Sequence, residues 1–250
     1  MSYHKGSNIR HFEGDLARYS MANDVDFVSY TAAEYDHALS IAKQTRGFHL
    51  IRDPRDVVVS GYFSHKHSHG TDNDWEELVP HRDKLLKLSF EQGLMEEIDF
   101  NEYTIRSMES WDYSNDNILE LRYEQLVEDP YGVLVSAFDS IGVIDHSQIY
   151  TRSIKSSFSC FLSNVKRRLI SRDHASTTIP IGDLLRILYE NNYSRMAGGR
   201  KSGIENQKSH YRKGVSGDWK NYFNEDHKSY FKERYNEVLI KLGYESDDDW

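Results

Sequence analysis

Three short runs rich in β-branched and aromatic residues, Asp26–Tyr30 (DFVSY), Gly47–Ile51 (GFHLI) and Asn117–Tyr123 (NILELRY), alternate with stretches whose apolar residues recur at helical spacing. In the third run Leu119, Leu121 and Tyr123 alternate with other residues, the period of a strand. Tyr35, Ala38, Leu39 and Ala42 form one apolar stripe within Ala32–Arg46, and Leu86, Phe90, Leu94 and Ile98 form another within Asp83–Ile98. Helices are also predicted over Tyr131–Ile141 and over Glu225–Leu242, where Phe231, Tyr235, Val238 and Leu242 share a face. Strands joined through helices pair in parallel, because a hairpin cannot connect them. The predicted class is therefore α/β, a central parallel β-sheet flanked by helices. Ligands in such folds sit at the carboxyl ends of the strands, and Arg52 stands at such an end. The segment Ser147–Arg172 fits this scheme less clearly. Ile154, Phe158, Phe161, Leu162, Val165 and Leu169 would line a basic helix, and Asp173–Pro180 then reads as a loop.

At 250 residues the chain is expected to form one domain, 1–250. Its 38% hydrophobic and 28% charged content is globular in balance. Cys160 is the single cysteine, so neither an intrachain disulfide nor a multi-cysteine zinc site can form, and a reducing, cytoplasmic setting is expected. No apolar run suggests a membrane span, and the opening MSYHKGSN has no apolar signal core. The net charge of −9 argues against a general nucleic-acid binder. That charge is uneven: residues 152–201 hold ten Lys/Arg against three acids, a local +7 that leaves −16 elsewhere. Such a patch either attracts an anion or is a solvated basic helix face.

Three segments could hold an anion. In His4-Lys5-Gly6-Ser7-Asn8 a glycine allows close backbone approach, helix-start N–H groups point outward and Lys5 adds a charge. Arg52 and Ser60 are eight residues apart across a strand end and the first turns of a helix beginning near Asp56, so a guanidinium and a hydroxyl could meet one phosphate. Equally, Arg52 could pair with Asp56 as a structural salt bridge. In Tyr211–Lys220 (YRKGVSGDWK) two adjacent cations precede two glycines, which describes either an anion-binding loop or a solvated turn.

Taken together these segments resemble the sulfotransferases that use 3′-phosphoadenosine 5′-phosphosulfate (PAPS). RDPRDVVVS resembles the family's 3′-phosphate strand–helix motif, and HYRKGVSGDWKNYF its C-terminal R-K-G-x-x-G-D-W-K loop. LRYEQLVEDP resembles the Y-E-x-x-x-x-D-P element, and NYSRMAGGRKSG, Asn192–Gly203, the S-F-x-x-x-x-G-G-R-x-x-G segment. Order and spacing agree over nearly the whole chain. The resemblance implies a P-loop NTPase-like sulfotransferase fold, with PAPS as sulfuryl donor and no required metal. It implies that Arg52, Ser60, Arg212, Lys213 and the Gly214 backbone hold the 3′-phosphate. Lys5, Gly6, Ser7 and Asn8 would cradle the 5′-phosphosulfate, Lys5 neutralising the bridging oxygen as the sulfuryl group leaves. Tyr123 and Tyr193 would contact adenine.

The sequence departs from the family at three places. HKGSN is one residue tighter than the usual phosphosulfate loop, and only Met1-Ser2-Tyr3 precede it, so the first strand is clipped or begins upstream. The family's K-T-H triplet is replaced by Ser29-Tyr30-Thr31, which leaves the general base open. His65 and His37 are the candidates carried forward; Glu34 is another. His67 and His69 read as surface residues, since alternating histidines in a loop make a weak metal pattern. Nothing in the sequence marks the acceptor, which could be a small molecule, a lipid or a glycan. Lys166–Arg172 would suit an anionic acceptor, and Trp75 and Trp111 read as core before they read as stacking platforms. Two other functions fit less of the sequence: an inactive module that binds the nucleotide, and a P-loop-fold kinase. The kinase is disfavoured because no Walker lysine pattern is present.

Overall fold

The computed structural model describes residues 29, 35–36, 46–71, 75–147, 149 and 178–250. The elements run β1 Gly47–Ile51, α1 Pro54–His67, α2 Leu78–Leu85, α3 Phe90–Phe100, α4 Glu102–Ser110, β2 Ile118–Arg122, α5 Tyr123–Glu128 and α6 Pro130–Ser140. They continue with β3 Ile144–Asp145, β4 Ile179–Pro180, α7 Ile181–Glu190, α8 Tyr193–Met196, a 3-10 turn Asp218–Asn221 and α9 Glu225–Lys241. β1 and β2 pair in parallel, from Gly47 opposite Ile118 to Ile51 opposite Arg122. β3 and β4 form a second parallel pair of two residues each. The class is α/β, as expected, with a small sheet among the described residues.

The core lies where α9 meets α3 and α4 and where α1 packs on α2, α3 and the 3-10 turn. Phe231, Tyr235, Val238 and Leu239 of α9 join Val58, Val59, Tyr62 and Phe63 of α1, Leu94 and Ile98 of α3, and Trp219 in one buried cluster. The stripe predicted on Glu225–Leu242 is thus the face that α9 buries.

Several expectations change. The helix predicted over Asp83–Ile98 is two helices. Ser89 Oγ accepts the Gln92 N–H at 3.2 Å, and Gln92 Oε1 accepts the Ser89 N–H at 3.4 Å. This capping box starts α3 afresh and overrides the continuous stripe; Leu86, outside both helices, is 57% exposed. The strand predicted to Tyr123 ends at Arg122, and α1 begins at Pro54 rather than near Asp56. Within the loop predicted over Asp173–Pro180, Ile179–Pro180 pairs as β4. Trp75 is 38% exposed rather than core, whereas Trp111 is buried, stacked on His49 at 3.8 Å. The run Asp26–Tyr30 except Ser29, the helix Ala32–Arg46 except Tyr35, Asp36 and Arg46, and nearly all of Ser147–Arg172 lie outside the described residues. Tyr35 and Asp36 are helical, and Arg46 is not. Among the described residues no helix is long and apolar enough to cross a membrane.

Candidate functional site

The RDPRD motif divides its charges between a site and the core. Pro54 opens α1, where a missing N–H costs nothing. Asp53 caps the helix by accepting the Arg55 N–H at 2.9 Å. Arg55 turns inward: it is 2% exposed, bonds Asp53 Oδ2 at 2.8 Å and Glu245 Oε1 at 2.5 Å, and lies over the rings of Trp219 and Trp250. Asp56 is fully buried and accepts the N–H groups of Gly217 at 2.7 Å and Trp219 at 2.8 Å, so α1 is tied to the YRKGVSGDWK loop. Burial raises the Asp56 pKa, against the opposing pull of Arg52 and the two backbone bonds.

Arg52 faces the other way. Pairing of Ile51 with Arg122 puts the next residues, Arg52 and Tyr123, side by side at the carboxyl edge of the two strands. The guanidinium lies 4.3 Å from the Tyr123 ring centroid. Its other tethers are long: Nη2 donates to Val215 O at 3.4 Å and lies 3.6 Å from Asp56 Oδ2. The predicted salt bridge to Asp56 therefore exists, but it engages one nitrogen only. Among the described residues Arg52 Nε is buried without a hydrogen-bond partner. A buried N–H of a cation left unbonded costs free energy, which an anion at this place would recover. Ser60 is half-buried and lies one helical turn beyond Asp56 on the same face of α1.

The loop is strapped from behind by the Asn192–Gly203 segment. Arg200 donates to the carbonyls of Tyr211 and Arg212, and the Gly203 and Asn206 N–H groups bond Lys213 O and Arg212 O at 2.9 Å each. Gly214 has φ +66°, and a Cβ there would meet the Tyr193 ring at 2.5 Å, so only glycine allows the loop to pass under that ring. Tyr193 in turn donates its hydroxyl to Tyr211 O at 3.2 Å. Arg212 is buried and committed: it bonds Glu205 at 2.5 Å, Asp218 at 2.6 Å and the Tyr222 hydroxyl at 3.1 Å. Lys213 Nζ bonds the other Asp218 oxygen at 2.6 Å. The structure thus brings Arg52 to Tyr123 and to Val215 of the loop, and Tyr193 to Gly214, while Arg212 and Lys213 meet at Asp218. Lys5, Gly6, Ser7, Asn8 and His37 lie outside the described residues.

The sulfotransferase domain family matches this chain over residues 37–165 and 184–243. The chain belongs to the sulfotransferase domain family. Two solved structures are similar to it. One is mouse sulfotransferase SULT7A1 complexed with PAP, at 18% identity and a TM-score of 0.44, over 84% of this chain and 66% of that one. The other is retinol dehydratase in complex with androsterone and inactive cofactor PAP, at 16% identity and a TM-score of 0.41, over 80% of this chain and 48% of that one. The chain therefore spans just under two thirds of the first and about half of the second. No curated protein matches it in sequence.

On this sulfotransferase-family chain His65 is 7% exposed, and its Nδ1 lies 2.7 Å from Glu97 Oε1. Five residues beyond Ser60, it projects about 140° away around the helix. It faces α2 and α3, not the Ser60 side. His67 is exposed and His69 half-buried. Three roles went unread in the sequence: Asp56, expected only as a partner of Arg52, anchors the loop, and Glu205 and Asp218 neutralise its cations. The aspartate of the G-D-W triplet was a visible signal, being the loop's sole acid between two cations and a tryptophan.

These carboxylates make the loop acid-sensitive. Burial alone would raise Asp218, but bonds from Lys213, Asn221 and Arg212 hold it below its ordinary 3.8. Burial is likewise outweighed at Glu205 by bonds from Tyr222, Arg212 and Gln207, which hold it below 4.5. For carboxylates depressed on folding, the stabilisation is fully present above the unfolded pKa and is lost as pH falls through the folded one. Amide-exchange protection at Gly203 and Asn206, corrected for the intrinsic rate, is expected to be constant from about pH 7 to pH 5 and to fall below about pH 4. Unchanged protection at pH 3 would show that these carboxylates do not hold the loop.

Proposed function

We propose that this protein moves a sulfuryl group from PAPS to a hydroxyl or amine acceptor. The observation that carries this reading is Arg52, a half-buried guanidinium whose buried Nε has no partner among the described residues, at the carboxyl end of β1 beside Tyr123 and the glycine loop. Arg52 and Ser60 would grip the 3′-phosphate, the feature that separates this nucleotide from ATP or ADP. Gly214 would offer backbone to the same phosphate, and Arg212 and Lys213 would keep the local potential positive. Tyr123 and Tyr193 would flank the adenine. Lys5, with Gly6, Ser7 and Asn8, would hold the 5′-phosphosulfate and stabilise the leaving phosphate. In-line transfer of a charged group rests on positioning and electrostatic stabilisation. A base takes the acceptor proton; the burial of His65 against Glu97 disfavours it and leaves His37 and Glu34. We take residues 1–250 as one domain acting on a small-molecule, lipid or glycan acceptor.

A second reading, an inactive module that binds the nucleotide, draws support from the internal neutralisation of Arg212 and Lys213 and from the diversion of His65 to Glu97. Calorimetric titration with adenosine 3′,5′-bisphosphate, beside ADP with Mg²⁺, tests both against a kinase. Clear preference for the bisphosphate is expected. Equal or better binding of ADP with Mg²⁺ would overturn the nucleotide assignment. Sulfate transfer from labelled PAPS across a panel of phenols, alcohols and amines then separates enzyme from inactive module.

A further inference from the structure

His65, His81 and Glu97 come from three different helices and converge in the interior, away from the Arg52 site. His65 Nδ1 lies 2.7 Å from Glu97 Oε1, and His81 Nε2 lies 2.8 Å from Glu97 Oε2. All three donor atoms lie within 4.8 Å of one another. We propose that these three residues bind a divalent transition-metal ion, with zinc the expected one. The site is independent of the sulfotransfer reading.

The donor set argues for the class of metal. Two imidazole nitrogens and one carboxylate oxygen suit a borderline ion, whereas magnesium and calcium take oxygen shells. Tetrahedral zinc holds such donors about 3.3 Å apart, so each His–Glu97 contact would open by about half an ångström and the widest donor pair, within 4.8 Å, would draw in. Each imidazole must then carry its proton on the far nitrogen. The surroundings are built for this carboxylate. Glu97 is fully buried, and Asn101 Nδ2 donates to its Oε1 at 2.6 Å, an outer bond that fixes the oxygen's direction. A Cβ on Gly61 would meet Glu97 Oε1 at 2.5 Å, so the glycine lets α1 approach closely. Phe100 stacks on the His81 ring at 3.6 Å, and Trp75 packs edge-on against His65 at 5.1 Å. Arg82 bonds the carbonyls of His65 and His69 at 2.5 and 2.6 Å, holding the end of α1. The His69 ring, 5.7 Å from that of His65, supplies a candidate fourth ligand.

A bound ion would pin the ends of α1, α2 and α3 together. The test is a titration of the full, chelator-stripped chain with Co²⁺, read by visible absorption and reversed by Zn²⁺, with melting curves in parallel. Wild type should saturate at about one equivalent, with bands stronger than those of six-coordinate cobalt, and should gain several degrees of stability from Zn²⁺. His81→Ala should abolish the bands and the Zn²⁺ gain. Glu97→Gln, which keeps the shape of the side chain, should weaken binding at least about tenfold, and the exposed His67→Ala should change nothing. Circular dichroism identifies any variant that has not folded. Absence of cobalt bands in folded wild type would overturn the proposal outright, leaving a hydrogen-bonded triad. So would undiminished bands in folded Glu97→Gln or His81→Ala.

Discussion

Arg52→Ala is expected to weaken adenosine 3′,5′-bisphosphate binding by roughly 30- to 150-fold, the loss of about 2–3 kcal/mol that accompanies removal of a charged hydrogen-bond donor. ADP, without a 3′-phosphate, should bind the variant and the parent alike. The melting temperature should move little. The contacts of Arg52 to Val215 and Asp56 are long, and its buried Nε has no partner to lose. Asp56 retains its two backbone N–H bonds in the variant. Arg52→Lys keeps the charge without the planar fork and should recover only part of the affinity. Unchanged bisphosphate affinity in Arg52→Ala would show that the 3′-phosphate is held elsewhere.

Arg55→Ala should do the reverse. Arg55 is buried between two tryptophan rings and answers two carboxylates, Asp53 and Glu245. Deleting it leaves Asp53 buried and uncompensated, and breaking a buried pair costs about 3–5 kcal/mol. For a chain of this size that lowers the melting temperature by roughly 6–20 °C. Bisphosphate affinity of the folded protein should change by less than about threefold, since Arg55 points away from Arg52. A variant that melts with the parent would show that the Arg55 cluster contributes nothing net to stability. With the expected results, two arginines three positions apart in one motif separate cleanly, Arg52 in binding and Arg55 in melting.

Much of this chain was legible along its length. GFHLI and ILELR have strand composition, and α6 and α9 follow their predicted spans closely. The strand-end position of Arg52 and the glycines of the YRKGVSGDWK loop nominated an anion site through local chemistry. Where local signals competed, the stripe misled: Leu86 continued a helical pattern that the Ser89–Gln92 capping box interrupts. A capping box is itself local, so that break was readable. The exposure of Trp75 was not, because burial depends on which elements pack above a residue.

The sequence by itself determined the α/β class and the family and nominated the residues of the proposed anion site, since period, turn chemistry and motif spacing are properties of neighbours in the chain. Only the tertiary structure decided what each charge does. It sent Arg55 to the core and Arg52 to the strand edge beside Tyr123, set Asp218 against both loop cations, and turned His65 to Glu97, which also holds His81, 32 and 16 positions beyond it along the chain. The physical reason is that electrostatic partnership depends on distance and burial in space, and a chain that folds back through parallel crossovers assigns both without regard to sequence separation.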